Sequence, residues 1–334
     1  MKIAIVGTGP AGGTLYRLLN SRHKVDLFSK EPETKYGCKP CAWGVNTCTF
    51  EAFCKYLGVD ARGYCIRQFS EASVQGIRAK AMISLIDKPK FIRDLIGGSV
   101  KYGEPDLGEY DRVIDATGKR AYLNNAQEGR QHQTFQIRVS MTLKDMGLRV
   151  WLNPEMPSQI LWLFPLSWKE AHIGILGLAG SPSYGDLMNG LAMCGLAGQI
   201  DRIECSCVGA VWAGGFRTPF AEGNVFGIGE SIGLVDPISG SGILPAMASA
   251  RLLYEHWDNP VGYCEAIRRR FGYIDSGARI IGALESGGKP NWQDVLAYSS
   301  ERCMRGISLS LALLVKLLAK NYKVSRGLAQ ALAR

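Results

Sequence analysis

Lys2-Ile3-Ala4-Ile5-Val6-Gly7-Thr8-Gly9-Pro10-Ala11-Gly12 stands at the start of the chain, with Gly13-Thr14-Leu15 behind it. The apolar run Ile3 to Val6 reads as a short strand buried on both faces. Gly7, Gly9 and Gly12 then fall in a Gly-x-Gly-x-x-Gly turn, and Leu15, Leu18 and Leu19 give the next segment the apolar face of a helix. A strand that feeds a Gly-rich turn and opens a helix is a dinucleotide cradle. Gly7 allows the turn, Gly9 lets backbone approach a pyrophosphate, and Gly12 lets helix and strand pack closely. Backbone N–H groups of the first helical turn, around Pro10 and Ala11, then face the phosphates. Val25, Leu27 and Phe28 read as the second strand. Ser29 stands where a ribose-gripping carboxylate is usual, followed by Lys30 and Glu31. Its hydroxyl still reaches a ribose, but a neutral group holds it less strongly than a carboxylate.

Outward from that cradle, 334 residues suit one large or two coupled domains. With 46% hydrophobic and 21% charged residues, the composition excludes a mainly disordered chain. No repeat of solenoid period is visible. The longest apolar stretch near the C-terminus, Ile307 to Val315, is broken by Lys316 and falls short of the ~20 residues a bilayer span needs. Ile3 to Val6 is too short for a signal-peptide core. These readings predict a cytoplasmic protein whose ten cysteines are thiols. The net charge of +9 favours an anionic partner, either lipid or an acidic protein. Nucleic acid is not predicted, because the basic residues are scattered and no nucleic-acid module is present.

Further along, Tyr36 to Cys48 reads as a loop rich in Gly, Pro and Cys. Residues 65–86 read as strands and Lys90 to Ile96 as a short helix. Arg112 to Ala116 is another buried strand, ended by Thr117-Gly118. Several apolar runs between 134 and 180, punctuated by Pro and Gly, predict an antiparallel sheet. Val225 to Gly229 is a last buried strand. A Gly/Pro loop and a helix from about Pro245 to His256 follow, and residues 261–334 read as helical.

Two of these segments choose among dinucleotides. Tyr110-Asp111-Arg112-Val113-Ile114-Asp115-Ala116-Thr117-Gly118 resembles the strand and Ala-Thr-Gly turn of flavoproteins with two dinucleotide-type folds. Asn224-Val225-Phe226-Gly227-Ile228-Gly229-Glu230 resembles their second FAD strand, which normally ends Gly-Asp; Glu230 here reaches one methylene further. Asp236-Pro237-Ile238-Ser239-Gly240-Ser241-Gly242-Ile243 resembles the loop lying under their isoalloxazine ring. The helix after it offers positive charge to a reduced, anionic flavin.

Two more segments narrow the resemblance to the FAD-dependent geranylgeranyl reductases. Lys39-Pro40-Cys41-Ala42-Trp43-Gly44-Val45 is similar to their Lys-Pro-Cys-Gly-Gly loop. Leu161-Trp162-Leu163-Phe164-Pro165, with Gly174 beyond, is similar to their Tyr-x-Trp-x-Phe-Pro…Gly signature, with Ile160 in place of the Tyr. The likeness spans about residues 1–260 and implies an α/β fold (α+β overall). A Rossmann-like FAD domain of the p-hydroxybenzoate-hydroxylase type would fall on 1–64, 87–125 and 216–260. An inserted antiparallel sheet domain for substrate would fall on 65–86 and 126–215, and C-terminal helices on 261–334. Carried over, the FAD contacts fall on Gly7, Gly9, Pro10, Ala11, Gly12, Ser29, Lys30, Ala42, Gly44, Thr117 and Gly118. They continue at Gly229, Glu230, Pro237, Gly240, Ser241, Gly242 and Ile243. A family Arg at the start of the helix after residue 86 corresponds to Lys88.

The implied reaction is saturation of carbon–carbon double bonds in a prenyl lipid, with hydride from reduced flavin and a proton from a nearby acid in a water-excluded site. Cys41 is the candidate proton donor, and a small buried hydrophobe otherwise. Trp43, Trp162, Phe164 and Pro165 are candidate walls of the substrate pocket, with core packing as the plain alternative for Trp162 and Phe164. Trp212 is a further wall candidate, and His172, in an apolar strand, carries no assigned role. Cys38 and Cys41 form a Cys-x-x-Cys, so a flavin/thiol redox protein is an alternative. A four-thiolate site with Cys205 and Cys207 is conceivable, although no metal is predicted. Trp162-x-Phe164-Pro165 also partly resembles a halogenase element, which keeps a flavin monooxygenase or halogenase as the other alternative. The electron donor is either NADPH or an acidic ferredoxin drawn by the positive charge. Leu311, Leu314 and Leu318, with Lys316, Lys320, Lys323 and Arg326 nearby, suit a helix in peripheral contact with the inner face of the cell membrane, and equally a packed terminal helix with a solvated face.

Overall fold

A computed structural model describes residues 1–30, 32, 42–124, 129–152, 159–177, 182–286, 288–301 and 303–307. The strands are β1 (Lys2–Val6), β2 (Lys24–Ser29), β3 (Gly44–Asn46), β4 (Cys65–Val74), β5 (Ile77–Ile86), β6 (Lys101–Tyr102), β7 (Arg112–Asp115), β8 (Gln131–Met141), β9 (Leu148–Leu152), β10 (Gln159–Ser167), β11 (Glu170–Gly177), β12 (Ile200–Trp212), β13 (Ala221–Glu222) and β14 (Val225–Gly227). The helices are α1 (Pro10–Leu19), α2 (Thr47–Tyr56), α3 (Lys88–Ile96), α4 (Tyr184–Met193), α5 (Ile243–Glu255), α6 (Pro260–Glu285) and α7 (Trp292–Ser300).

These strands make two sheets. The first runs β13-β14-β7-β1-β2-β6. β1 lies at its centre, parallel to both β2 and β7, and β14 is parallel to β7. That order explains why Ile3, Ile5, Val113 and Ile114 are an unbroken apolar signal: each is fully buried. α1 packs against α3 and α5, and Leu15, Leu19, Ile92, Leu95, Leu244 and Met247 join one core.

The second sheet runs β12-β8-β11-β10-β9-β4-β5-β3. Its pairs are antiparallel except β4 with β9. Alternation divides it into two faces. Ile137, Val139, Leu161, Leu163, Ile173 and Ile175 form one face and pack under Leu187 and Leu191 of α4. Residues one step along each strand form the other face.

Local chemistry sets the helix starts. Asp87 caps α3 by accepting from the Lys90 N–H at 3.0 Å, so the helix begins at Lys88-Pro89 rather than at Lys90, with Pro89 in a turn that needs no donor. α5 begins at Ile243, two residues before the expected Pro245. Asn46 caps α2 and Ser183 with Asp186 forms a capping box on α4; neither helix is anticipated above. Gly44–Asn46, read as loop and placed with the cofactor segments, instead pairs with β5 at the edge of the second sheet. The C-terminal region is not wholly helical. After α7 the chain extends, and Ile307 bridges Ala81 on β5. No described helix is long and apolar enough to cross a membrane.

Candidate functional site

The Gly-rich turn separates tolerance from intolerance at each glycine. Gly7 has φ +118°, and a Cβ there would lie 2.3 Å from the Ala116 carbonyl oxygen. A Cβ on Gly12 would lie 1.9 Å from the Gly7 carbonyl oxygen. Both are packing constraints between the turn, α1 and β7. Gly9 is different: a Cβ there meets nothing within 4 Å. The space it leaves open borders the first turn of α1, whose N-cap is Gly9 and whose first residue is Pro10. Backbone N–H groups and helix dipole therefore favour an anion at this spot.

Around the cradle, the Ser29 hydroxyl lies 3.2 Å from that of Thr8, and both are buried. Lys30 points away and pairs with Glu104 on the surface. Asp115 organises the turn after β7: its Oδ1 accepts from the Thr117 N–H and hydroxyl at 3.1 and 2.7 Å, its Oδ2 from the Tyr122 N–H at 3.0 Å. Gly118 follows in a positive-φ conformation. Gly229, at φ +68°, sits against Ala11 and Ala246, and its N–H donates to the Ser249 hydroxyl at 2.9 Å. Glu230 Oε1 accepts from the Trp212 N–H at 2.8 Å, which ties the carboxylate back to the end of β12.

The loop from Asp236 to Gly242 is held from beneath. Asp236 Oδ1 accepts from the N–H groups of Ile238 and Ser239 at 2.9 and 3.1 Å. The Tyr298 hydroxyl donates to Asp236 at 2.8 Å, and Arg305 Nε to its other oxygen at 2.9 Å. The Arg305 guanidinium also lies 3.5 Å from the Tyr298 ring centre, and the Arg305 carbonyl accepts from Asn46 Nδ2 at 2.9 Å. Above, His132 Nε2 donates to the Pro237 carbonyl at 3.1 Å. The loop is closed on itself by the Gly240 N–H to Asp236 carbonyl bond at 2.8 Å and by the Ser239–Ser241 hydroxyl contact at 2.9 Å. Gly242 then caps α5.

The open face of the second sheet lies between this loop and the Ala42–Gly44 segment. Register puts its residues in rows. Arg138, His172 and Phe164 form one row; Gln136, Gly174 and Trp162 the next; Thr134, Leu176 and Ile160 the third. At one end, a Cβ on Gly44 would lie 2.9 Å from Phe164 Cε1. Trp43 meets His172 edge-to-face with ring centres 4.6 Å apart. At the other end, a Cβ on Gly240 would lie 3.6 Å from Leu176 Cδ1. In the middle, the Trp162 indole lies flat over Gly174, where a Cβ would come within 2.2 Å of Cζ2. Only Gly fits beneath it, which gives the spacing from Trp162 to Gly174 a physical reason.

Two buried histidines, His172 and His132, lie on this face, and Arg138 on it pairs with Glu170 at 3.3 Å. His172 is pushed down to about 4 by burial, with the Arg138 and Lys88 charges adding to it and a hydrogen bond to the Ala42 carbonyl opposing. Burial likewise pushes His132 down to about 4, against its bond to Pro237. Both rings are neutral at pH 7. Lys88, at the first turn of α3, is itself 4% exposed, and its charge lies near enough to act on His172.

Among solved structures, a geranylgeranyl bacteriochlorophyll reductase-like protein from Thermoplasma acidophilum is similar over 98% of this chain and 98% of its own, at TM-score 0.72 and 18% identity. A probable FAD-dependent monooxygenase from Pseudomonas aeruginosa is similar over 85% of this chain and 96% of its own, at TM-score 0.60 and 13% identity. A tryptophan 6-halogenase from Streptomyces toxytricini is similar over 87% and 80%, at TM-score 0.62 and 13% identity. The chain has the flavoprotein fold. No protein-family profile and no curated protein matches the sequence.

On the flavoprotein fold most of the expected residues fall into two groups. Gly7, Gly9, Pro10, Ala11, Gly12, Ser29, Thr117, Gly118 and Gly229 gather around the ends of β1, β2 and β7 and the start of α1. Pro237, Gly240, Trp43 and Gly44 touch residues of the open sheet face, Ala42 and Lys88 act on its His172, and Ser241, Gly242 and Ile243 follow Gly240 into α5. Pro165, expected in the substrate pocket, is buried one step on from Phe164 and pairs with Ala171, so alternation turns it to the face under α4 and away from the open face. Lys30 and Trp212 belong to neither group. Trp212 is 4% exposed, bonded through Nε1 to the Gly215 carbonyl at 2.6 Å, and packed over Gly129 and Gly214. Cys38 and Cys41 lie outside the described residues. Cys205 and Cys207 lie on β12 opposite Arg138 and Gln136, and no three potential ligands gather to hold a metal among the described residues. The sequence reading missed His132, Gln136 and Arg138. Their signal was legible: His132, Thr134, Gln136 and Arg138 alternate with Phe135, Ile137, Val139 and Met141 along β8.

Proposed function

We propose that the chain binds FAD and uses it to saturate carbon–carbon double bonds of a prenyl lipid chain. The observation that carries FAD binding is the contrast between Gly9 and Gly12: one leaves space bordering helix N–H groups, while the other is filled by the Gly7 carbonyl. The residues present fit the cofactor. Gly9 and the first turn of α1 would hold the pyrophosphate, the Ser29 and Thr8 hydroxyls lie at the ribose end, and the Asp236–Gly242 loop would lie beneath the ring. When bound, FAD supplies the two electrons of the reduction.

The chain's own residues do the rest. Trp162 and Phe164 give an apolar aromatic wall for an isoprenoid chain, as a hydrocarbon ligand requires. The enclosed part of the sheet face would keep solvent from the reacting atoms, which strengthens electrostatic interactions there and limits side reactions. The buried Lys88 charge and the N-terminus of α5 stabilise negative charge developing beside them. Cys41 is the proposed proton donor. It adjoins Ala42, whose carbonyl accepts from His172, so His172 and Trp43 hold the residues that follow Cys41. The likeness to the Thermoplasma reductase-like structure supports the prenyl reading over hydroxylation.

The test is anaerobic reduction of the purified protein with dithionite, followed by a geranylgeranyl lipid. Reoxidation of the flavin band, with the lipid gaining two hydrogens per bond, is expected. A flavin that stays reduced beside unchanged lipid refutes the prenyl reading; oxygen-dependent NADPH oxidation favours a monooxygenase. Cys41→Ser is expected to lose turnover and keep FAD, and unchanged turnover removes Cys41 from the chemistry.

A further inference from the structure

The open sheet face is not apolar throughout. Gln136 and His172 are 5% and 2% exposed, and Gln136 Oε1 and His172 Nδ1 have no hydrogen-bond partner among the described residues. The same holds for the buried Trp162 Nε1 and Arg138 Nε. All four atoms belong to the two adjacent rows around Gly174: Gln136 and Trp162 flank it in its own row, and Arg138 and His172 are neighbours in the next. The Trp162 indole lies over Gly174, with Cζ2 and Cε2, the carbon that carries Nε1, nearest to it.

Their chemistry is complementary. Trp162 Nε1–H and Arg138 Nε–H only donate; Gln136 Oε1 only accepts. His172 is neutral and Nδ1 is its partnerless nitrogen, so with the ring proton on Nε2, toward the Ala42 carbonyl, Nδ1 only accepts. Buried polar atoms of a native protein are almost always paired, and four orphans side by side call for a partner. A pure hydrocarbon cannot be that partner. A hydroxyl can, because one O–H both donates and accepts.

We propose that the two rows around Gly174 form a hydroxyl-recognising subsite, so that the substrate is an unsaturated chain carrying a hydroxyl group that lodges between Gln136 and Trp162. This rests on the prenyl reading for the chain, but not for the hydroxyl. One donor and one acceptor of the set are satisfied by that group. The rest of the substrate runs past Phe164 and Ile160 along the same face.

The experiment uses the flavin-loaded protein and three probes: geranylgeraniol, the hydrocarbon of the same chain with CH3 in place of CH2OH, and phenol. Binding is read from the shift of the flavin band. The alcohol is expected to bind about tenfold more tightly than the hydrocarbon, and Gln136→Leu to close that gap while leaving the hydrocarbon's affinity unchanged. Thermal unfolding of Gln136→Leu without cofactor is expected to match or exceed wild type, since an unpartnered acceptor is replaced by a group needing none. Equal affinities for alcohol and hydrocarbon overturn the subsite and leave the prenyl reading standing. Marked destabilisation of Gln136→Leu also overturns it, because Gln136 would then serve the fold. Binding of phenol alone, lost in Gln136→Leu, upholds the subsite and overturns the prenyl reading.

Discussion

Arg305→Met should be the most damaging single change outside the glycines. Arg305 and Asp236 are 4% and 1% exposed with 2.9 Å between Nε and Oδ2. Removing the guanidinium leaves a carboxylate enclosed with two loop N–H groups and the Tyr298 hydroxyl, enough to orient it but not to replace a full positive charge. Breaking a buried pair from one side costs about 3–5 kcal/mol. That is a drop of about 10 °C in the unfolding midpoint for a chain of this size. Asp236→Asn combined with Arg305→Met should recover more than half of the loss, because Asn keeps an acceptor for Tyr298 and the loop N–H groups without a buried charge. Arg62→Met, which breaks an exposed pair with Asp60, is the control and should leave the midpoint where it is. Circular dichroism gives the midpoint, and FAD release on dilution reports the loop. If Arg305→Met melts with wild type, the pair is not what holds the Asp236–Gly242 loop. If the double variant is worse than the single, uncompensated charge is not the cause.

Acid should find the two buried histidines. His132 and His172 are held down to about 4 against 6.5 when free. Their contribution is therefore complete above about pH 6.5 and is lost as pH falls toward 4, where only the unfolded chain has taken up protons, on the order of 3 kcal/mol each. Urea midpoints between pH 7 and 4 measure it, and His132→Gln should flatten that slope; an unchanged slope refutes neutral burial. Gly9→Val should leave unfolding without cofactor unchanged yet release FAD. Gly12→Ala, whose Cβ meets backbone at 1.9 Å, should lower the unfolding midpoint itself. Equal behaviour of the two would remove the distinction between cradle and packing. Gly174→Ala should displace the Trp162 ring and cost about 1–3 kcal/mol, visible as a change in tryptophan fluorescence alongside lost substrate binding.

What could be read from the sequence was local. Ile3–Val6, the glycines and Leu15 to Leu19 are contiguous, and each local preference agrees with the parallel sheet they form. β3 escaped because three residues show no period. α4 escaped although Ser183-x-x-Asp186 is a legible helix start. The support of the Asp236–Gly242 loop was beyond reach for a different reason. Asp236 and Arg305 are 69 positions apart, and nothing periodic links an acid in a Gly-rich loop to an arginine beyond a helix.

The second sheet places two different constraints on one set of strands. Every strand from β8 to β11 divides its residues between two faces. The face under α4 is packed, and substitution there is limited by volume. The open face, with Gln136, Arg138, Trp162, His172 and Gly174, has no such partner helix among the described residues, so volume limits its side chains less while the core keeps the backbone in place. Strand propensity treats the two faces alike, and the hydrophobic alternation that defines β8 says which residues are turned away from the core without saying what they meet. That is why the cradle is legible from eleven consecutive residues, whereas the polar cluster from which the hydroxyl subsite is proposed needs the register that sets Gln136, Gly174 and Trp162 side by side.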